Sequence, residues 1–568
     1  MSYRKNHSVV AEKKLLGTAT DGLTPFPKRS GLMLGLLLVP GFLFTTCLLR
    51  FGVDAPYIDD FHLYNFVYRF DQTGDPSWFL TQTNEHRTAF ARLLVWATER
   101  LTGRVNLVWQ MLVSTLVLSG LTLMLARAFR PIGLGWGWFL PVPFLVFQTQ
   151  GWSNYYWGFC AISNVAVIGF VVWSLYWVRA RGWRFWVAIL LGAVATFTMG
   201  SGMMVFAAGT PALVAQRRWQ VLGRWLAGAG ASAGLYLYHF KSPGDWLHPT
   251  PVRAAVNWVT YLGNFADFTD QSSGAFKPVC FTVGLGLVGL AGWGLWRETF
   301  SNDRRLTRPT FLFLLGLLTY VAGTAALVAL NRVSMIENRY KLNAVLFLVA
   351  TYLLVVPGAK RLPFQRVAWV IPLTAAVLFF GYTYLRYLPD IMNFRQEVLS
   401  NLFSRRNGGT SSGDPFLARL RYLEQKGAYR LPAAYERTFG PLNRLPPFPA
   451  TRLNDVFPGL VLTADSTKIT LSDAVSTWSN DPDEGLWLVL QGDSARFAWR
   501  AARRGAGVGA FLQRGRLLQR GARADLYAAW VRPGQYRVLV YRSGAAPRLV
   551  ATNLHLEGRA QPLFDWLD

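Results

Sequence analysis

The chain has 568 residues, 52% of them hydrophobic, and a positive mean hydropathy. It is long for one soluble domain and too apolar for several. The net charge of +27 does not imply nucleic acid, because most of the excess in the apolar region sits in short loops on one side, where membrane topology accounts for it.

Residues 1–30 form a polar, basic tail, read as cytoplasmic, with Arg4, Lys5, Lys13, Lys14, Lys28 and Arg29. The apolar run that follows is long, lacks a small-x-small cleavage site and is succeeded by further runs. It is therefore expected to be an uncleaved span rather than a signal peptide. Spans are expected near 31–50, 104–127, 132–149, 158–178, 183–199, 201–216, 221–240, 276–296, 310–330, 342–357 and 366–386. Each is near the length needed to cross a bilayer core as a helix. This gives a mainly α polytopic membrane protein with about eleven transmembrane helices.

Charge orients the helices. Alternate gaps carry Arg127 and Arg130, Arg179, Arg181 and Arg184, Arg217, Arg218 and Arg224, Arg297, Arg304, Arg305 and Arg308, then Lys360, Arg361 and Arg366, whereas 150–157 and 199–202 carry no Lys or Arg. The positive-inside rule then puts the N-terminus in the cytoplasm and the first loop, 51–103, outside. Cys47, Cys160 and Cys280 all fall within apolar runs, which suits small core residues better than a disulfide framework. The glycine-rich turn at 198–202 is expected to serve close helix packing.

The first loop concentrates chemistry. Asp59 and Asp60 precede Leu63, Phe66, Val67 and Phe70, which recur at helical spacing, so an amphipathic helix over 61–70 is expected on the membrane surface. The two acids suit a helix cap. They equally suit a general base and a neighbour that orients it, since adjacent carboxylates raise one pKa. Asn84, Glu85, His86 and Arg87 are expected to open a second helix, and their density of functional groups also marks a site. His62 and His86 lack the close spacing of a metal pair, so a hydrogen-bonding role is favoured and no metal or cofactor is assigned.

Between the ninth and tenth spans lie Arg332, Arg339, Tyr340 and Lys341, with cations on the side where the other short gaps have none. A phosphate or pyrophosphate headgroup would compensate them. Pairing with Glu337, with acids of the first loop, or with anionic lipid would do so as well. The loop 241–275 holds Trp246, His248, Trp258, Tyr261, Asp267 and Asp270, which fit either a membrane belt or a sugar-stacking surface. The polar-aromatic turn 150–157 is suited to lining a cavity. From Pro389 the chain turns polar. Segment 387–445 reads as a linker with short helices over 394–403 and 415–426. Segment 446–568 reads as an extracytoplasmic β-sandwich-like domain with strands over 486–490, 528–531 and 536–541.

Tyr57-Ile58-Asp59-Asp60, Asn84-Glu85-His86-Arg87 and Arg332…Arg339-Tyr340, set in a multi-pass chain with a soluble tail, resemble the GT-C class of membrane glycosyltransferases. The chain is also similar to bacterial membrane proteins with an Asp-Asp-Phe…Asn-Glu-His-Arg pattern. The resemblance implies a multi-pass enzyme of the bacterial cytoplasmic membrane that takes a polyprenyl-phosphate sugar donor and transfers the sugar to a glycan, lipid or protein acceptor outside the cytoplasm. It implies a catalytic base at Asp59 or Asp60 and a lipid-phosphate contact at Arg332 or Arg339. A transporter or flippase for lipid-linked saccharide would share the cations and aromatics but would require ionisable residues at the bilayer midplane. A non-catalytic envelope-assembly subunit is the third reading.

Overall fold

The computed structural model describes residues 31–241, 249–268, 277–332, 337–361, 363–408, 415–444, 453–465, 467–493 and 495–559. The N-terminal tail and the expected contributions of Trp246, His248 and Asp270 lie outside the described residues.

The chain is mainly helical. Among the described residues, seven helices are long and apolar enough to cross a membrane: Gly31–Phe51, Leu107–Ile132, Gly158–Trp177, Lys277–Phe300, Arg308–Asn331, Asn338–Arg361 and Arg366–Asn407. They coincide with seven of the eleven expected spans. The other four expected spans are helical but shorter or less apolar. Trp183–Thr196 has 14 residues and Met204–Ala215 has 12, so they reach about 21 and 18 Å against a core of about 30 Å. Pro141 and Pro143 open a helix that ends at Val146, and Trp219–Leu237 is a 19-residue helix outside the seven.

The turns at the helix ends meet in two groups. In one, Trp157 Nε1 donates to Tyr57 O at 3.2 Å and Asn154 Nδ2 to Arg339 O at 2.8 Å. Phe90 N donates to Phe197 O at 3.2 Å and Arg87 Nε to Tyr236 O at 2.7 Å. In the other, Arg218 Nη1 donates to Arg179 O at 3.0 Å, Arg308 to Ala215 O, Thr310 Oγ1 to Ala128 O at 3.1 Å, and Arg361 pairs with Asp303 at 2.7 Å.

In the first loop the expected surface helix spans Asp60–Thr73 and buries Phe61, Leu63, Phe66 and Val67. It stops at Gly74, whose φ of 65° is open to glycine and whose N–H caps Phe70 O. The second helix does not begin at Asn84–Arg87. It starts at Ala89. Residues 83–86 instead make a tight turn, with reciprocal backbone bonds of 2.7 and 2.9 Å between Thr83 and His86 and Asn84 at a φ of 49°. Asparagine tolerates that left-handed conformation better than most side chains.

The last of the seven long apolar helices does not end near residue 386. Val370–Asn407 runs for 38 residues through Pro389, about 57 Å, and so absorbs the expected helix over 394–403. It leads to helices Pro415–Gln425 and Ala433–Phe439 and then to two small antiparallel sheets. One sheet has the order β1 (Leu460–Ala464), β2 (Lys468–Asp473), β5 (Ala522–Tyr527). The other has the order β4 (Arg496–Arg500), β3 (Leu486–Gln491), β6 (Gly534–Arg542), β7 (Arg548–Gly558). β3 is buried from Leu486 to Leu490, as its unbroken apolar run requires. The expected strand at 528–531 is displaced: β5 ends at Tyr527, and Ala528–Trp530 forms a 3-10 turn. β5 buries the alternating Ala522, Ala524 and Leu526, a period-2 pattern less conspicuous than the apolar run that follows it.

Candidate functional site

Asp59 and Asp60 sit at the start of the Asp60–Thr73 helix, and the structure separates them. Asp60 is 1% exposed. Its Oδ2 accepts from Tyr57 N at 2.9 Å and its Oδ1 from Phe159 N at 2.7 Å, so it ties the first loop to the start of the Gly158–Trp177 helix. Burial pushes its carboxyl up to about 8, against the pull of those two amides. Asp59 is half-buried, and its carboxylate makes no hydrogen bond or ion pair among the described residues. Burial raises its pKa, and the Arg339 guanidinium lowers it.

Arg339 is the charge on which the site converges. Its charge bears on both Asp59 and His86: burial first, then Arg339, pulls the His86 imidazole down to about 4. His86 is thus neutral at pH 7. Its Nε2 lies 3.8 Å from Glu85, and its Nδ1 is buried without a partner. It faces Gly200, where a Cβ would stand 3.3 Å from Nδ1. The 198–202 turn therefore serves close packing, and Gly202 adds to this, since a Cβ there would collide with the Ala195 carbonyl.

The three cations of the 331–341 stretch are compensated by protein carboxylates. Arg332 pairs with Glu85 of the first loop, Arg339 with Glu337 at 2.5 Å and Lys341 with Asp267 at 3.2 Å. They differ in access. Arg332 and Arg339 keep 43% of their side-chain surface exposed. Lys341 is 1% exposed and also donates to Asp267 O at 2.7 Å and Tyr387 Oη at 3.1 Å. Lys341 is thus an internal fastener, not a ligand contact. Tyr340 is buried against Tyr261, ring centroids 5.2 Å apart, and Tyr261 is fully buried and bonded to Asn343, which makes it neither a membrane belt nor a stacking surface.

Arg87 is likewise structural. It is 8% exposed and donates to the carbonyls of Leu80, Tyr236 and Tyr238, closing the last turn of the Trp219–Leu237 helix onto the loop. Asn84 is exposed and serves the tight turn. His62 lies apart from the Arg339 group: burial, then Arg92 and Arg419, pulls it down to about 4. Among the described residues no group of three or more His, Cys, Asp or Glu side chains is arranged to hold a metal ion.

Two contributors were not singled out in the sequence. Arg92, 4% exposed, donates to the carbonyls of Trp78 and Phe79 at 3.1 Å and to Thr83 Oγ1 at 2.7 Å, and so shapes the loop that presents Glu85 and His86. Glu397 takes the Tyr57 hydroxyl at 2.7 Å and Arg500 at 2.7 Å, linking the Asp59 segment to β4. A charged residue on the apolar face of an amphipathic helix is the one signal that marks Arg92.

The assembled site thus has one unpartnered carboxylate, one neutral imidazole and two accessible guanidinium groups held by carboxylates. It can accept a proton and stabilise an oxyanion. No protein-family model matches the chain, and no curated protein matches it in sequence.

Proposed function

We propose that this chain is a membrane glycosyltransferase of GT-C type that moves a sugar from a polyprenyl-phosphate donor to a cell-envelope acceptor. The observation that carries the reading is the unpartnered Asp59 carboxylate within electrostatic range of Arg339. In this scheme Asp59 takes the proton of the acceptor hydroxyl as that oxygen bonds to the sugar's anomeric carbon. The bond from that carbon to the phosphate breaks, and the electron pair leaves on the lipid phosphate. Arg339 and Arg332 stabilise the departing phosphate by releasing Glu337 and Glu85 and pairing with the phosphate instead. Asp60 holds the loop in place and does not touch substrate.

The reading includes eleven passes with the site outside. The two groups of turns support it. Tyr57, Asn154 and Trp157, Phe197, Tyr236 and Arg339 meet at one end, while Ala128, Arg179, Ala215, Arg218, Asp303 and Arg361 meet at the other. That alternation requires the four shorter helices to traverse the same layer as the long ones. The second end carries the basic gaps, which the positive-inside rule assigns to the cytoplasm. The first end, with the two C-terminal sheets, then faces outward.

An assembly-subunit role is favoured by a different observation: each cation of the 331–341 stretch already has a carboxylate partner. A carrier role is disfavoured by where the buried ion pairs lie. Arg297–Glu298 is in the last turn of its helix and Lys341 in the first turn of its own, away from the midplane that transport requires. Cells lacking the protein should accumulate polyprenyl-phosphate sugar. Wild type should reverse this, and Asp59→Asn should not, with a loss of about 10²–10⁴-fold in transfer for a missing general base. Full restoration by Asp59→Asn would end the enzymatic reading.

A further inference from the structure

Between Asp493 and Asp525 the chain carries eight arginines and no acid. Four of them are engaged: Arg496 with Gln491 and Asn443, Arg500 with Glu397 at 2.7 Å, Arg503 with Glu484 O at 2.7 Å and Arg523 with Asp525 at 3.1 Å. The other four, Arg504, Arg514, Arg516 and Arg520, are exposed, and their guanidinium groups make no hydrogen bond or ion pair among the described residues. They belong to one arm. Ala506 N donates to Leu517 O and Gln519 N to Arg504 O, both at 2.9 Å, which pins the two legs of the arm together at the base of the Gly507–Arg514 helix. That helix closes at Gly515, whose φ of 64° suits glycine and whose N–H caps Phe511 O.

No described side chain of this helix is buried. Leu512 is 75% exposed and Phe511 beside it is half-buried. Arg514, three positions on, shares the Phe511 face. A lone exposed leucine is ordinary on a protein surface. An exposed leucine and a phenylalanine among four uncompensated arginines make the composition of a helix that lies in a headgroup layer. The arm stands where such a layer begins. On the Val370–Asn407 helix Ile371, Leu378 and Tyr382 are exposed, and this stripe ends at Arg386 and Asp390. The change from aliphatic through aromatic to charged side chains marks the boundary of the hydrocarbon. Gly505 stands against Pro389, where a Cβ would lie 3.2 Å from the ring. Gly507 shares with Tyr382, Leu385 and Arg386 the wall of a cavity of about 800 Å³ that also reaches Glu397. The base of the arm is therefore level with that boundary.

We propose that this arm docks on the bilayer, with Phe511 and Leu512 in the headgroup layer and Arg504, Arg514, Arg516 and Arg520 on the phosphates of anionic lipid. A soluble polyanion would match the arginines but leave Leu512 in water, so the bilayer is the better partner. The contact is independent of the transfer chemistry and of which membrane face the arm occupies. It gives the C-terminal sheets a hold on the membrane besides the Val370–Asn407 helix.

The test uses the full chain in nanodiscs in which phosphatidylglycerol replaces phosphatidylcholine from none to one half. Leu512→Cys carries an environment-sensitive dye. Cys160 and Cys280 are buried and Cys47 half-buried, and the unsubstituted chain treated alike gives the background. The dye should become covered as phosphatidylglycerol rises and should be quenched by brominated acyl chains. One arginine beside an anionic surface is worth about fivefold in the ratio of covered to water-exposed dye. Arg514→Gln, Arg516→Gln and Arg520→Gln together should therefore lower that ratio about 10²-fold, and all three are exposed, so the fold is undisturbed. Because the dye replaces the leucine, amide hydrogen exchange over 507–514 is followed in the unlabelled chain as well. It should slow with phosphatidylglycerol, and less so in Leu512→Ser. A dye that stays in water in every nanodisc, equal coverage in the triple variant, or exchange in the unlabelled chain that ignores the lipid would each overturn the docking. Coverage that appears only when soluble polyphosphate is added would overturn it too and assign the arginines to a polymer.

Discussion

Replacing Asp60 and Asp59 one at a time should split the acidic pair into a structural member and a chemical one. Asp60→Ala removes two acceptors together and leaves the buried N–H groups of Tyr57 and Phe159 unpaired. Each orphaned amide costs about 1–3 kcal/mol, so the variant should lose about 2–6 kcal/mol. Asp60→Asn keeps one carbonyl oxygen and turns an amide N–H₂ toward the other donor, which puts its loss at about 1–3 kcal/mol. Asp59 accepts no hydrogen bond, so Asp59→Asn should stay within about 0.5 kcal/mol of wild type. Thermal unfolding in detergent, followed by tryptophan fluorescence, should rank the midpoints as wild type level with Asp59→Asn, then Asp60→Asn, then Asp60→Ala. A chain of this size need not unfold in two states, so the order is the readout. If Asp60→Ala melted with wild type, or Asp59→Asn melted with Asp60→Ala, the division of labour would be wrong.

Two further outcomes follow from the buried charges. Above pH 7.5 the shifted histidines are neutral in both states and Asp54, pushed up to about 6, is nearly fully ionised. Asp60, at about 8 when folded and about 3.9 when unfolded, still binds a proton only in the folded chain. Its stabilisation is therefore lost as pH rises through 8, at up to about 1.4 kcal/mol per pH unit. Midpoints measured from pH 7.5 to 8.5 should fall in wild type and fall less in Asp60→Asn. Arg395 joins three chain segments, donating to Asp483 at 2.8 and 3.0 Å and to the carbonyls of Phe51 and Gly52 at 3.1 and 2.7 Å. Arg395→Met should cost about 3–5 kcal/mol and expose the C-terminal sheets to protease. Retention of wild-type protease resistance would show that the sheets are held without it.

Elements with a strong local period were legible in the sequence. The surface helix could be read from Leu63, Phe66, Val67 and Phe70, and β3 and β6 from their aliphatic and aromatic runs. What the sequence hid was decided by partners far along the chain. Asp59 and Asp60 look alike in the sequence; the difference is that Asp60 takes the amides of Tyr57 and Phe159, the second 99 residues away. The same holds for Lys341, which reads as one more cation of an outer loop until Asp267 and Tyr387 surround it. The last span was expected to end near residue 386 because the chain turns polar from Pro389, a residue that lacks an N–H and crowds the preceding turn of a helix. Pro389 sits inside the helix, buried and packed near Gly505 of the C-terminal region, so tertiary contact overrides the local preference. The cations of the 331–341 stretch called for compensation by Glu337, first-loop acids, lipid or a phosphate. The carboxylate that meets each arginine was among the weighed alternatives.

The extension of the Val370–Asn407 helix explains why the two halves of the chain form one working unit. A helix that stopped near residue 386 would leave the C-terminal sheets on a tether. Carried on past Pro389, the helix presents Asn393, Arg395, Gln396 and Ser400 as a polar edge. These residues bond respectively to Arg503 O at 2.8 Å, to Asp483 at 2.8 Å, to Glu484 O at 2.5 Å and to Ala498 O at 2.5 Å. The same stretch of helix carries Glu397, which holds Tyr57 two residues before Asp59. The position of the first loop is therefore set in part by residues more than 300 positions later. Rigid placement of the loop and of the cavity beside it comes from one continuous rod, which is what a site built from distant segments needs to keep its groups in register.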